Sequence, residues 1–220
     1  MNPILVAGTG SWKGENDTDW YCPGHPFGEY LQSKGVGPTY AWGTRNGGLT
    51  AAPFVWSTGL AGIPWLTNKK EWQAGGAALA YFIASTHRIP GDQTAVIAHS
   101  HGLQIVLYAC AYYDLRIQAL ISVGSPVRED MKPIASAARP KIDGWLHLHS
   151  DGTDRWQWFG ELFDGHLGIV REHPLADSND LVPGVSHSKL LRNPDLYHLW
   201  EDRGWLNWIT TTESNVPYQE

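Results

Sequence analysis

The sequence is poor in cysteine, in charged residues and in long apolar runs. Its 220 residues include two cysteines, Cys22 and Cys110, too few for a disulfide framework. The net charge of −6 gives no support for a nucleic-acid-binding surface. No apolar run approaches the roughly 20 residues that span a bilayer, so we expect no membrane span. The first residues carry no basic region and only a short apolar run, Ile4 to Ala7. We therefore expect no secretory signal and synthesis in the cytoplasm, with the final site of action left open.

Tryptophan, glycine and proline are abundant, with 12, 24 and 14 copies. Hydrophobic residues make up 42% of the chain and charged residues 17%, a composition typical of a globular protein with a sizeable core. The glycines and prolines predict many turns. Aromatic side chains usually bury most of their area, so the tryptophans favour core packing and pinned loops. An aromatic surface facing an apolar or sugar substrate is the second interpretation.

Short apolar runs alternate with longer helical segments. The predicted strands are "PILVAG", "PTYAWG", "QTAVIAH", "IQALISVGSP", "GWLHLHS" and "GIVREH". The predicted helices are a segment ending at Gly35, "NKKEWQAGGAALAYFIASTHR", "GLQIVLYACAYY", "MKPIASAARP", "WQWFGELF" and a closing segment broken near Pro194 and Gly204. Continuous rather than alternating apolar strands are typical of a parallel sheet covered on both faces. We predict one α/β domain over residues 1–220, with 47–67 as either a cap or flap or a long surface loop.

The turn "HSHG" places Ser100 directly between a predicted strand and a predicted helix. Such a turn lies at the carboxyl edge of a parallel sheet, where ligands of open α/β sheets bind. The tight backbone needs small residues two positions to either side, and here they are Ala98 and Gly102. Ala98 departs from the usual Gly-x-Ser-x-Gly pattern. The alternative is a serine that only caps the helix.

A serine nucleophile needs a base and an orienting carboxylate, and on this kind of sheet they follow it as acid and then histidine. Carboxylates follow "GWLHLHS", and a histidine follows later in "VSHSKLL". With "ILVAGTGSW", "VIAHSHG", "ISVGSPVR" and "HLHSDGTDRWQWFG", these segments make most of the chain resemble the serine α/β-hydrolase superfamily, in its compact lipase/esterase-like branch. The fold implied is a mostly parallel sheet with helices on both faces.

The resemblance implies a role for several residues. Ser100 is the nucleophile and His187 the base. Asp154 is the favoured acid, Asp151 is the alternative, and Asp177 and Asp180 are more distant candidates. The backbone N–H groups of Thr9 and His101 form the oxyanion hole. No cofactor is implied.

Histidines and tryptophans flank these positions. His99 and His101 are expected to point away from the Ser100 hydroxyl and pack beside the cleft, with His101 at its wall. His147 and His149 alternate on a strand, which suggests either a metal pair or two hydrogen-bonded core histidines; without a third ligand at readable spacing, we predict no metal site. Trp12, Trp156 and Trp158 are expected to line a substrate pocket.

The function predicted is hydrolysis of carboxylic esters, with a small-molecule, lipid or glycan ester as substrate. Acyltransferases, thioesterases and peptidases use the same triad and are the first alternatives. A phage-type cell-envelope esterase and a non-catalytic binding module of the same fold are the others. The oligomeric state is left open.

Overall fold

The computed structural model describes residues 3–6, 25–34, 68–86, 94–151, 172–186 and 189–210. Within them lies one parallel sheet of five strands in the order β1-β2-β3-β4-β5. The strands are β1 (Ile4–Val6), β2 (Ala95–His99), β3 (Ile117–Val123), β4 (Ile142–Ser150) and β5 (Ser178–Val182). Because every neighbouring pair is parallel, the carboxyl ends of all five strands meet at one edge of the sheet.

Helices cover both faces of the sheet. They are α1 (Pro26–Ser33), α2 (Asn68–Thr86), α3 (Gly102–Tyr113), α4 (Lys132–Ala138), α5 (Tyr197–Asp202) and α6 (Trp205–Thr210), with short 3₁₀ turns at Glu129–Met131, Arg139–Lys141 and Pro194–Leu196. None of the described helices is both long and apolar enough to cross a membrane.

Successive side chains along each strand point to opposite faces of the sheet, and this divides the core into two clusters. One face contributes residues such as Leu5, Ile97 and Ile121, which pack against α1, α5 and α6. The opposite face contributes Val96, Leu120 and Trp145 to a cluster with α2, α3 and α4. Nearly all residues of β1 to β4 are buried, as expected for a parallel sheet covered on both faces.

The tryptophans that the structure describes with their side chains, Trp72, Trp145, Trp200 and Trp205, are all buried. Core packing is therefore the correct interpretation for these four. Trp200 and Trp205 pack edge to face with ring centroids 5.6 Å apart, within the cluster that covers the α1 side of the sheet.

The last strand is where the sequence prediction is wrong. The sequence predicts a strand at 168–173, followed by a loop that includes 178–182. Glu172 and His173 are not in a strand, the remainder of that prediction lies outside the described residues, and β5 occupies Ser178–Val182 instead. The sequence "SNDLV" has low strand propensity, but it forms five register pairs with β4. Tertiary pairing at the sheet edge thus overrides a weak local preference.

Most other predicted elements are confirmed. The predicted helix "GLQIVLYACAYY" coincides with α3. The sequence also predicts helix over 187–210, but residues 189–193 are not in an α-helix, so the helical part begins at Pro194; its break at Gly204, which has a φ of 68°, is as predicted. The predicted strand "PTYAWG", the predicted helix "WQWFGELF" and the 47–67 segment lie outside the described residues.

Helices α2 and α3 approach each other closely at Gly76. A Cβ atom added there would lie 2.8 Å from both the Ala109 backbone nitrogen and the Tyr108 Cβ. Real side chains do not tolerate such distances, so glycine is needed for this contact.

We expect Gly76→Ala to lower the free energy of unfolding by about 1–3 kcal/mol, because overpacking outweighs the better helix propensity of alanine. Ala74, exposed on the same helix, is the matched control. There the reverse change, Ala74→Gly, should cost about 1 kcal/mol through propensity alone. Urea unfolding of both variants measures this, and an unfolding free energy for Gly76→Ala at or above wild type would contradict the packing argument.

Candidate active site

Ser100 occupies a strained turn at the carboxyl edge of the sheet. It follows the last residue of β2, and α3 begins two residues later. Its φ is 55°, in the left-handed region that residues with a side chain rarely adopt. The Ser100 N–H donates to the Val123 carbonyl at 3.0 Å, so the turn is held by the neighbouring strand β3. The tight turn predicted from "AHSHG" is therefore present, with Ser100 at its centre.

The small residues that flank this turn are both buried. Ala98 pairs with Val6 on one side and Ser122 on the other, and it is fully buried. Gly102 is buried at the first position of α3. Alanine at the first small position is compatible with the turn.

The histidines beside Ser100 are packed into the protein. The His101 ring stacks on Trp72 of α2, with centroids 5.5 Å apart and planes 19° from parallel. His99 is buried at the end of β2. The expected packing of the His101 side chain is thus found, although the sequence did not indicate its partner on α2.

The remaining predicted site positions follow the ends of the other strands. Thr9 comes three positions after β1, Asp154 four after β4 and His187 five after β5. These three, together with Trp12, Trp156 and Trp158, lie outside the described residues. The parallel sheet brings the strand ends that precede them to the edge where Ser100 lies.

The alternative acids already have structural contacts. Asp151, directly after β4, accepts a hydrogen bond from the Gly184 N–H at 2.7 Å and so joins the ends of β4 and β5. Asp177 accepts from the Trp145 N–H at 2.7 Å and pairs with Arg139. Asp180 accepts from the Trp205 indole N–H at 2.6 Å.

The revised position of β5 also changes how two of these carboxylates are interpreted. The sequence predicts Asp177 and Asp180 in a loop after a strand, which makes them candidate acids. Asp177 instead precedes β5, at the end of that strand away from Ser100, and Asp180 lies within it. Neither stands in a loop at the carboxyl edge.

Comparison with known proteins supports this architecture. No protein-family model and no curated protein sequence matches the chain. Solved structures do match. A lipase of Bacillus licheniformis in its mature form superposes with a TM-score of 0.52 at 12% identity, over 92% of this chain and 91% of the lipase. A predicted CIB-like hydrolase from Thermoplasma acidophilum gives 0.51 at 10% identity, over 93% and 86%. A soluble variant of monoglyceride lipase from Saccharomyces cerevisiae, in complex with a substrate analog, gives 0.50 at 14% identity, over 96% and 88%.

The protein has the α/β-hydrolase fold. Identities of 10–14% establish the fold alone, so residue roles rest on the geometry of this chain. In this α/β-hydrolase fold, the Ser100 turn joins the second described strand to the helix that follows it.

A polar network lies inside the α/β-hydrolase core, on the face that packs against α3 and α4. The Ser122 hydroxyl accepts from the Trp145 indole N–H at 2.8 Å and lies 2.7 Å from His147 Nδ1. The His147 and His149 rings stack with centroids 5.9 Å apart, so these histidines do share one side of β4. They are buried and hydrogen-bonded, and the described residues include no group of three or more side chains able to hold a metal ion.

A small apolar pocket of about 140 Å³ adjoins this network between α3, α4 and residues 173–175. Its volume would hold a group about the size of benzene. Gln104 lines it and donates its amide N–H to the Pro126 carbonyl at 3.1 Å, while its buried Oε1 has no hydrogen-bond partner among the described residues. Sequence reasoning missed this pocket because its walls come from segments that are distant along the chain.

Backbone strain at Ser100 should be measurable as stability. Left-handed φ values cost side-chain-bearing residues roughly 1–3 kcal/mol, and glycine avoids this cost. We expect Ser100→Gly to unfold with a free energy about 1 kcal/mol higher than Ser100→Ala. At Ser122, a buried serine in a regular strand, the order should reverse, because glycine weakens strands. Urea titration of all four variants measures these free energies of unfolding. A lower value for Ser100→Gly than for Ser100→Ala would refute the strain at Ser100.

His173 should make stability pH-dependent. Burial lowers the pKa of His173 to about 4, and its Nδ1 accepts from the Leu175 N–H at 3.3 Å. The unfolded chain therefore takes up this proton first as the pH falls. The stabilisation is complete above the ordinary histidine pKa of about 6.5 and is lost from there down to about pH 4, by on the order of 3 kcal/mol. In His173→Asn, the slope of unfolding free energy against pH should be shallower across that window, and an unchanged slope would be evidence against a neutral buried histidine.

Proposed function

We propose that this protein is a serine hydrolase that cleaves carboxylic esters through an acyl-enzyme. The observation that carries the proposal is Ser100 itself, a left-handed serine at the carboxyl edge of a parallel sheet, directly before a buried helix. Strained backbone persists where the surrounding structure requires it, and it clusters at active sites. The likeness in fold to two lipases and a hydrolase is consistent with this chemistry.

In the proposed mechanism, the Ser100 hydroxyl attacks the ester carbonyl and His187 accepts its proton. Asp154 holds the His187 imidazole in the required tautomer and stabilises its charged form. The tetrahedral oxyanion accepts hydrogen bonds from the N–H groups of Thr9 and His101. His187 then protonates the leaving alcohol. Water, deprotonated by His187, attacks the acyl-enzyme; the acyl–Oγ bond breaks, the acid leaves, and His187 returns the proton to Ser100 Oγ.

Two features of the described chain favour these assignments. The His101 N–H stands at the start of α3, where backbone N–H groups are not used by the helix itself. Asp151 is occupied in the contact with Gly184, which favours Asp154 as the acid and gives Asp151 the role of holding the loop before His187. The substrate is a small-molecule, lipid or glycan ester.

We expect Ser100→Ala and His187→Ala to lower kcat by about 10⁴-fold or more on p-nitrophenyl esters of graded chain length. Asp154→Asn should lower kcat by up to about 10⁴-fold, because the imidazole loses its correct tautomer. Asp151→Asn is the matched control, since its amide oxygen can still accept from Gly184. We expect its kcat to remain within a few-fold of wild type.

A covalent readout identifies the nucleophile without the natural substrate. A fluorophosphonate should label wild type once, and peptide mass analysis should place the adduct on Ser100. Hydrolysis or labelling that persists in folded Ser100→Ala would refute the mechanism. A loss of kcat in Asp151→Asn, with Asp154→Asn unaffected, would reassign the acid.

A further inference from the structure

The residue after the proposed nucleophile is anchored through its side chain. His101 stacks on Trp72, which is only 1% exposed. The indole N–H groups of Trp145 and Trp205 donate hydrogen bonds, whereas that of Trp72 is buried without a partner among the described residues. Because no hydrogen bond within the described part of the chain holds the Trp72 ring, its position depends on stacking and packing. These contacts must also offset the cost of the buried unpaired N–H.

Arg128 holds Trp72 at a second point. Its guanidinium carbon lies 5.1 Å from the centroid of the Trp72 ring, in the geometry of a cation–π contact. The Arg128 side chain is only 4% exposed, which strengthens such a contact through desolvation. Arg128 comes from the segment after β3, so the stack connects α2, α3 and the sheet edge.

Asp130 fixes the guanidinium in turn. Arg128 Nε and Nη2 donate to the two Asp130 carboxylate oxygens, each at 2.9 Å, and Lys69 Nζ lies 3.1 Å from Oδ2. Burial would raise the pKa of Asp130, but hydrogen bonds and charges from Arg128 and Lys69 outweigh it and lower this pKa to about 2. The carboxylate therefore stays ionised near neutral pH, and a planar fork of two bonds fixes the orientation of Arg128.

We propose that Trp72, Arg128 and Asp130 are positioning residues for the oxyanion hole, acting through the side chain of His101. This inference rests on the proposed function, in which the His101 N–H stabilises the oxyanion. Ser100 is held by its own N–H bond to Val123, whereas the N–H of the next peptide, that of His101, is the proposed oxyanion donor. Anchoring the His101 ring restricts rotation of that peptide, and misplacing a catalytic group by about 1 Å can cost 10²-fold in rate.

A purely structural role is the competing explanation, and a second arginine–aspartate pair provides the control. Arg139 pairs with Asp177 and donates to the Ile142 carbonyl, near the amino ends of β4 and β5. Replacing either arginine by lysine keeps the charge and removes the planar guanidinium that makes two directed hydrogen bonds, both to Asp130 from Arg128 and to Asp177 and Ile142 from Arg139. Arg128→Lys and Arg139→Lys should both lower stability, but only Arg128→Lys disturbs the His101 stack.

The test combines kinetics with a mimic of the tetrahedral intermediate. We expect Arg128→Lys and Trp72→Leu to lower kcat about ten- to a hundred-fold on a p-nitrophenyl ester, with KM within about two-fold of wild type. Trp72→Phe retains a ring for stacking and should recover part of the loss. The inhibition constant of phenylboronic acid, which forms a tetrahedral adduct on serine, should rise in parallel with the fall in kcat/KM. Arg139→Lys should change neither quantity.

The possible results separate the two proposals. If Arg128→Lys and Trp72→Leu lose stability but keep kcat/KM and the boronate inhibition constant within two-fold of wild type, the positioning role is overturned. If Arg128→Lys does not fold, Asp130→Asn, which keeps the shape of the pair, carries the same test. A wild type that neither hydrolyses esters nor is labelled at Ser100 overturns the proposed function as well, and this is visible before any of these variants is compared.

Discussion

The hydrogen bond from the Ser100 N–H to the Val123 carbonyl is the constraint on which the site depends. It extends the pairing of β2 with β3 by one residue, to a position where the chain has already left strand geometry. A left-handed serine is unfavourable in isolation. Here it is held by sheet pairing before it and by a buried helix after it, since α3 is buried from Gly102 to Cys110. The strain at Ser100 therefore reflects two rigid elements meeting at one residue.

That rigidity depends on the two-sided core. The apolar cluster on the α3 side includes residues of α2 and α4, and Gly76 brings α2 against α3 at distances no side chain allows. Helix α2 also supplies Trp72, which contacts both His101 and Arg128. Helix α2 therefore contributes both to the core and to the contacts beside Ser100, so a substitution that shifts α2 would also displace His101 next to the turn.

How far the sequence predicted this protein can be seen from particular elements. The strand "TAVIA", the helix "GLQIVLYACAYY" and the turn between them were all predictable, because a continuous apolar strand, two small residues and a helical segment agree locally. The polar strand β5 was not, because its formation depends on pairing with β4 rather than on its own residues. That error also placed Asp177 in the wrong setting. Trp72 contacts His101, 29 residues away along the chain, and Arg128, 56 residues away, and no local pattern marks this stack.

The sequence by itself determined the parallel α/β class, most element bounds and the serine at the strand–helix turn, because each follows from hydrophobic periodicity and the size of neighbouring residues. Only the tertiary structure decided the edge strand, the contacts made by Asp151, Asp177 and Asp180, and the partner of the His101 ring. The physical reason is range. Periodicity and turn chemistry act over a few residues, whereas strand pairing, ion pairs and ring stacking depend on which distant segments the folded core brings together.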